Sequence, residues 1–177
     1  MAAGFALWFT GLPSSGKSTL ARTVAEGLVE EGTAVQLLDS DEMRRVLTPE
    51  PTYSAAERDW FYDVVVYVAR LLVENGVNVI IAATGPRRRY REAARARLAR
   101  FAEVYVDCPP AVCRERDPKG LWAKADQGLI RTLPGAGAPY EPPAAPEVQV
   151  DSSELSVEQA ATQVLKRLRD QEFFTEA

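Results

Sequence analysis

Gly11-Leu12-Pro13-Ser14-Ser15-Gly16-Lys17-Ser18 follows directly on the apolar run Phe5-Ala6-Leu7-Trp8-Phe9-Thr10. It opens a segment from Lys17 to Glu30 in which Leu20, Val24 and Leu28 recur at helical spacing. Strand, glycine-rich turn, helix is the setting in which G-x-x-x-x-G-K-[ST] binds phosphate. Backbone amides of such a turn converge on an anion, and the helix N-terminus adds positive potential. Gly11, Ser14, Ser15 and Gly16 are therefore expected around the phosphates of ATP. Lys17 is expected to reach the β- and γ-phosphates and Ser18 to ligate Mg2+. Thr19 is a weaker candidate, touching the α-phosphate or capping a turn. The plainer alternative is a turn that only caps the helix.

Further along, Ala34–Leu38, Asn78–Ala83 and Val104–Asp107 read as buried strands, and Val148–Val150 as a last one before a helix over Ser156–Gln171. Between them, Ser54 to Glu74 carries Trp60, Val64, Tyr67, Val68 and Leu71 at steps of three and four. That spacing predicts a long helix packed through that side, with Ser54 and Glu57 as a capping box. Apolar strands alternating with helices imply a parallel sheet covered on both faces. The expected fold is a three-layer α/β/α domain formed by residues 1–177, with a Gly/Pro-rich stretch from Pro134 to Pro146 too short to link two domains.

Composition narrows the chemistry. The 177 residues hold 21 Lys plus Arg, 25 Asp plus Glu, two cysteines and no histidine, for a net charge of -4. Without histidine there is no Ser-His-Asp or Cys-His nucleophile pair and no imidazole base, so acid-base work falls to carboxylates, lysines or tyrosines. At 46% hydrophobic and 26% charged, the chain reads as one globular unit with a real core. The acidic balance disfavours nucleic acid as a partner. Cys108 and Cys113, five apart, fit neither a zinc knuckle nor a redox pair and are expected as buried thiols. No basic leader or membrane-length apolar run is visible, which points to the cytoplasm and away from membranes. A homodimer is compatible with this size.

Asp39 and Asp41 follow the second strand and so fall at the carboxyl edge of the sheet, where ligands of such folds bind. They could hold Mg2+ through water, accept a proton from an attacking hydroxyl, or only cap a helix. Arg87 to Arg100 packs seven arginines against one acid, Glu92. We read it as a mostly solvated helix face, with Arg88 and Arg91 as anion contacts.

Several segments together resemble the adenylylsulfate kinase family of phosphate-loop kinases over nearly the whole chain. Leu38-Asp39-Ser40-Asp41-Glu42-Met43-Arg44 is similar to that family's L-D-G-D-N-x-R segment. Cys113 to Ala125 (CRERDPKGLWAKA) and Pro139-Tyr140-Glu141-Pro142-Pro143 are similar to its C-E-x-R-D-x-K-G-L-Y-x-K-A-R stretch and P-Y-E-x-P turn. The resemblance implies a phosphoryl transfer from MgATP to the 3'-hydroxyl of adenosine 5'-phosphosulfate. It makes Asp39 the base or orienting group, with Asp41 beside it. Arg44 and Arg58 become anion contacts, Tyr53 an aromatic stacked on the acceptor base, and Arg88 a further acceptor contact. Arg116 and Lys119 belong to a mobile lid, about residues 114–146, closing over the phosphates.

Departures gather on the acceptor side. Phe61 stands where the family has Asn, Asp63 and Asp126 where it has Arg, and Gly85 where it has the Ser of S-P-Y-R, so no phosphoenzyme forms there. Leu133 takes the place of the second aromatic of the base clamp, a change worth about 1 to 3 kcal/mol per stacked base. Two alternatives stay open: a kinase of the same fold acting on another nucleotide-linked or small anionic acceptor, and an ATP-binding regulatory module.

Overall fold

The structure is a computed structural model that describes residues 3–174. Five parallel strands form one sheet in the order β2-β3-β1-β4-β5: β1 (Ala6–Thr10), β2 (Val35–Asp39), β3 (Asn78–Ala82), β4 (Phe101–Asp107) and β5 (Val148–Asp151). Strand β4 begins three residues before the expected Val104. Its first turn is polar at Glu103, which hides the strand from an apolar-run reading.

Period-two alternation sends β1 side chains to two cores. Phe5, Leu7 and Phe9 pack with α1 (Lys17–Glu30) and α7 (Val157–Asp170). Ala6 and Trp8 pack with α3 (Ala55–Glu74) and α4 (Arg88–Arg97) on the other face. That is the expected three-layer sandwich. The chain leaves β1 for β2 on one side and later reaches β4 on the other, so a crevice opens at the carboxyl end of β1. Three short helices line it: α2 (Ser40–Leu47), α5 (Pro110–Arg116) and α6 (Leu121–Asp126).

Helix α3 turns a different side to the sheet than expected. Phe61, Tyr62, Val65, Val66, Ala69 and Val73 are buried, whereas Trp60, Tyr67 and Leu71 are 48%, 52% and 41% exposed. The run Phe61–Leu72 carries two overlapping apolar stripes one residue apart, and the sheet takes the one that brings Tyr62 and Phe61 over Trp8 and the crevice. The capping box is also half realised. Ser54 Oγ accepts the Glu57 N–H at 3.3 Å, but the Glu57 carboxylate turns back to the Thr52–Tyr53 backbone.

The basic helix α4 is not a free charged surface. Arg91 is buried, pairs with Glu103, and donates to the carbonyls of Gly85 and Glu141. It is therefore a strut between the end of β3 and the Pro139–Pro143 turn, not an anion contact. Arg88 also differs from expectation: it is exposed, its Nε donates to the Pro142 carbonyl at 2.6 Å, and it does not line the crevice. All seven arginines from Arg87 to Arg100 bond to protein groups, among them Arg95 to Glu147 at 2.6 Å and Arg97 to Asp63 at 3.7 Å. Arg91→Met should leave Glu103 buried with only Arg95 nearby, at 3.8 Å. The expected loss is about 3 kcal/mol in a urea melt, and a change under about 1 kcal/mol would contradict the strut.

Candidate active site

The phosphate loop turns through two left-handed residues, Ser14 at φ 66° and Gly16 at φ 91°. Gly16 is the N-cap of α1 and supplies no side-chain cap, so the first amides of the helix stay available to an anion. Lys17 folds back over the loop, its Nζ donating to the Leu12 carbonyl at 3.3 Å. Burial strips its hydration and pulls its pKa down to about 8; Asp41 and Asp39 oppose that shift, and Lys119 adds to it.

A cleft of about 520 Å3 runs from this loop to the N-terminal turns of α3. Ser14, Gly16, Lys17, Ser18 and Thr19 form one wall; Asp41, Arg44, Tyr53 and Arg58 form the opposite one; Arg116, Lys119 and Leu133 close the top. Gly11 and Ser15, both buried in the loop, do not line the cleft. A Cβ on Gly11 would run into the Val106 carbonyl, and the buried Ser15 hydroxyl has no protein partner. Asp39 is buried behind the cleft surface, and its Oδ1 accepts the Asp41 N–H at 2.8 Å, capping α2. The capping reading of this residue is thus realised, at a position next to Lys17.

Arg44 and Arg58 are both held in place. Arg44 ion-pairs with Glu57 at 3.2 Å and lies 3.7 Å from the Phe61 ring centroid and 5.0 Å from that of Tyr53. Arg58 donates to the Thr132 carbonyl at 2.6 Å and the Tyr53 carbonyl at 3.1 Å. Glu57 also accepts from the Thr52 N–H at 2.6 Å and the Tyr53 N–H at 3.2 Å, holding Tyr53 at φ 53°. Sequence reading assigned Glu57 only to a cap, since nothing local shows that its carboxylate meets an arginine thirteen residues back.

The covering segment is anchored on the loop it covers. Trp122 is buried and its Nε1 donates to the Pro13 carbonyl at 3.0 Å, within a small core of Cys108, Cys113 and Leu133. Both cysteines are free thiols, as expected. Lys119 reaches across the cleft to ion-pair with Asp41. Arg116 donates to the Ser152 carbonyl at 2.5 Å while lining the cleft. Among the described residues no group of three His, Cys, Asp or Glu could hold a metal alone. Ser18 with a strand-edge carboxylate fits Mg2+ that arrives on a phosphate chain and keeps several waters.

A profile of the adenylylsulphate kinase family matches residues 3–151. The chain belongs to the adenylylsulphate kinase family. A probable adenylyl-sulfate kinase of Pyrococcus abyssi is 43% identical over 167 residues, 94% of this chain and 96% of that one. An adenylyl-sulfate kinase of a Synechococcus strain is 42% identical over 166 residues, covering 94% of each. The Mycobacterium tuberculosis APS kinase, solved with AMPPNP and APS, superposes with a TM-score of 0.89 at 35% identity, over 96% of this chain and 99% of that chain.

Against the adenylylsulphate kinase pattern, the departures have visible partners. Gly85 adopts φ 48°, and a Cβ there would press on Trp8 and on the Arg91 stem. A serine there would strain the left-handed backbone and crowd Trp8 and the strut. Asp126 pairs with Arg114 at 3.3 Å and Asp63 with Arg97, so both are surface contacts away from the cleft. Phe61 is the plate beneath Arg44. Leu133 is built into the small core and also faces the cleft.

Proposed function

We propose that the chain, as one kinase domain, transfers the γ-phosphoryl group of MgATP to the 3'-hydroxyl of adenosine 5'-phosphosulfate. The observation that carries this is one continuous cleft joining a complete phosphate loop to two fixed arginines and an aromatic ring. In-line transfer needs positioning and charge neutralisation more than covalent chemistry. The loop amides and Lys17 hold the phosphates, and Arg116 and Lys119 add positive charge from the covering segment. Arg44 and Arg58 hold the acceptor's anionic end while Tyr53 offers a ring to its base. Asp39 orients or deprotonates the hydroxyl. Mg2+, held by Ser18 and the Asp39–Asp41 edge, would offset phosphate charge.

Purified chain incubated with MgATP and adenosine 5'-phosphosulfate, beside a panel of nucleoside 5'-phosphates and small anionic alcohols, tests this. The expected result is ADP with a 3'-phosphorylated product. Phe61 beneath Arg44 and Leu133 in the cleft lining favour a different nucleotide acceptor as second reading, and turnover of another panel member alone would establish it. ATP hydrolysis that no acceptor stimulates would instead indicate a regulatory module.

Because Lys17 carries its charge below a pKa of about 8, kcat/KM for ATP should fall above about pH 8. The fall should approach tenfold per unit, while kcat at saturating ATP stays flatter because bound phosphates hold the proton. A kcat/KM profile flat to pH 10 would contradict that role. A cytoplasmic setting is part of the proposal, supported by the two free thiols; among the described residues no helix is long and apolar enough to cross a membrane. So is a homodimer, supported by the exposed Trp60, Tyr67 and Leu71 side of α3 and testable by sedimentation velocity.

A further inference from the structure

Tyr62 is buried on α3 between Trp8 and Tyr90, its ring stacked 4.4 Å from that of Tyr90, and it lines the cleft together with Thr84 and Arg44. The oxygen accepts the Gly85 N–H at 3.1 Å, and the positive charges of Arg44 and Arg58 act on it. The groups that bond to it or place charge near it, the Gly85 N–H and the Arg44 and Arg58 guanidiniums, are all donors. Among the described residues no protein acceptor is bonded to its proton, and the cleft is the space this residue lines. We infer that Tyr62 is a specificity-determining residue that donates an O–H hydrogen bond to an oxygen or ring nitrogen of the nucleotide acceptor.

Three features support this assignment. The ring has little freedom, because Trp8, Phe61 and Tyr90 surround it and α3 fixes its base. A buried hydroxyl whose oxygen is satisfied but whose proton is not is ready to recognise an acceptor atom and rejects a ligand that lacks one. Burial raises the phenol pKa, so the proton stays in place through ordinary working pH. Gly85, at the position of the family's serine, supplies no side-chain hydroxyl; Tyr62 brings one to the same backbone amide from the neighbouring helix.

The inference rests on the proposed kinase reading, and the test separates the two. Tyr62→Phe should raise KM for adenosine 5'-phosphosulfate about tenfold, the size of one hydrogen bond. KM for ATP and acceptor-independent ATP hydrolysis should stay within twofold of wild type. An unchanged acceptor KM, or equal rises in both KM values, overturns it. Should Tyr62→Phe unfold by orphaning the Gly85 N–H, 3,5-difluorotyrosine at position 62 keeps that oxygen but loses its proton at much lower pH. The ratio of its acceptor KM to that of wild type should then climb about tenfold across that ionisation, and a flat ratio overturns the donor role. A wild-type chain inert towards adenosine 5'-phosphosulfate overturns the acceptor assignment instead, and Tyr62→Phe is then judged in the same way on the panel member that is phosphorylated. A chain that phosphorylates nothing overturns both.

Discussion

Lys17→Ala lowers kcat/KM for phosphoryl transfer by about 10^3 to 10^4-fold, leaving the melting temperature within a few degrees of wild type. Activity and fold separate here because Lys17 is half-buried at the cleft for binding, not for packing. Among the described residues its one hydrogen bond is the long one to the Leu12 carbonyl, and its charge is held against a desolvation cost that alanine would relieve. With the side chain gone, the loop keeps its left-handed turns at Ser14 and Gly16, so nucleotide still finds the amides. What disappears is the positive charge that follows the γ-phosphate toward the acceptor. Stopped-flow binding of a fluorescent ATP analogue together with turnover measurements tests this. A variant that binds nucleotide weakly yet turns over bound ATP at the wild-type rate would remove Lys17 from the transfer step.

The phosphate loop and the layer order were legible because each depends on local spacing. Gly11 to Ser18 fixes a turn by its glycines, and the apolar runs fix strands by their continuity. Sequence also placed Asp39 at the edge of the sheet, since register follows from where β2 ends. What stayed hidden was long-range pairing. Arg91 and Arg88 have the same composition and nearly the same position in the chain, yet one is a strut under the sheet edge and the other a rim contact. That difference is set by Glu103, on a strand whose start was itself missed. The face of α3 was hidden for a related reason: two apolar stripes one residue apart are equally good helices, and only the sheet decides between them. The choice matters for function, because the buried stripe is the one that sets Phe61 under Arg44 and places Tyr62 in the lining of the cleft. Resemblance to a family pointed to Arg44, Arg58 and Tyr53, whereas the contacts among Arg44, Glu57 and Tyr53 depend on the fold bringing Glu57 back to an arginine thirteen residues away.

Asp39→Asn lowers kcat by about 10^3-fold with KM for ATP changed less than about threefold. Asparagine is the informative replacement because it keeps the Oδ1 that accepts the Asp41 N–H, and it caps helices as well as aspartate does. Helix α2 therefore stays in register, with Asp41 and Arg44 where they were. Only the charge is lost. That charge faces Lys17, whose pKa Asp39 helps to hold up, so the variant should also move the basic limb of kcat/KM for ATP to lower pH. The direction follows from the sign of the interaction: removing a carboxylate near an ammonium disfavours the protonated form, and the lysine gives up its proton earlier. A role confined to capping predicts no loss of kcat and no shift of that limb. A role in holding Mg2+ predicts that a large excess of the ion restores rate, whereas orientation or deprotonation of the acceptor hydroxyl predicts that it does not. Rate against Mg2+ concentration, measured for Asp39→Asn at two pH values on either side of 8, therefore distinguishes the three roles.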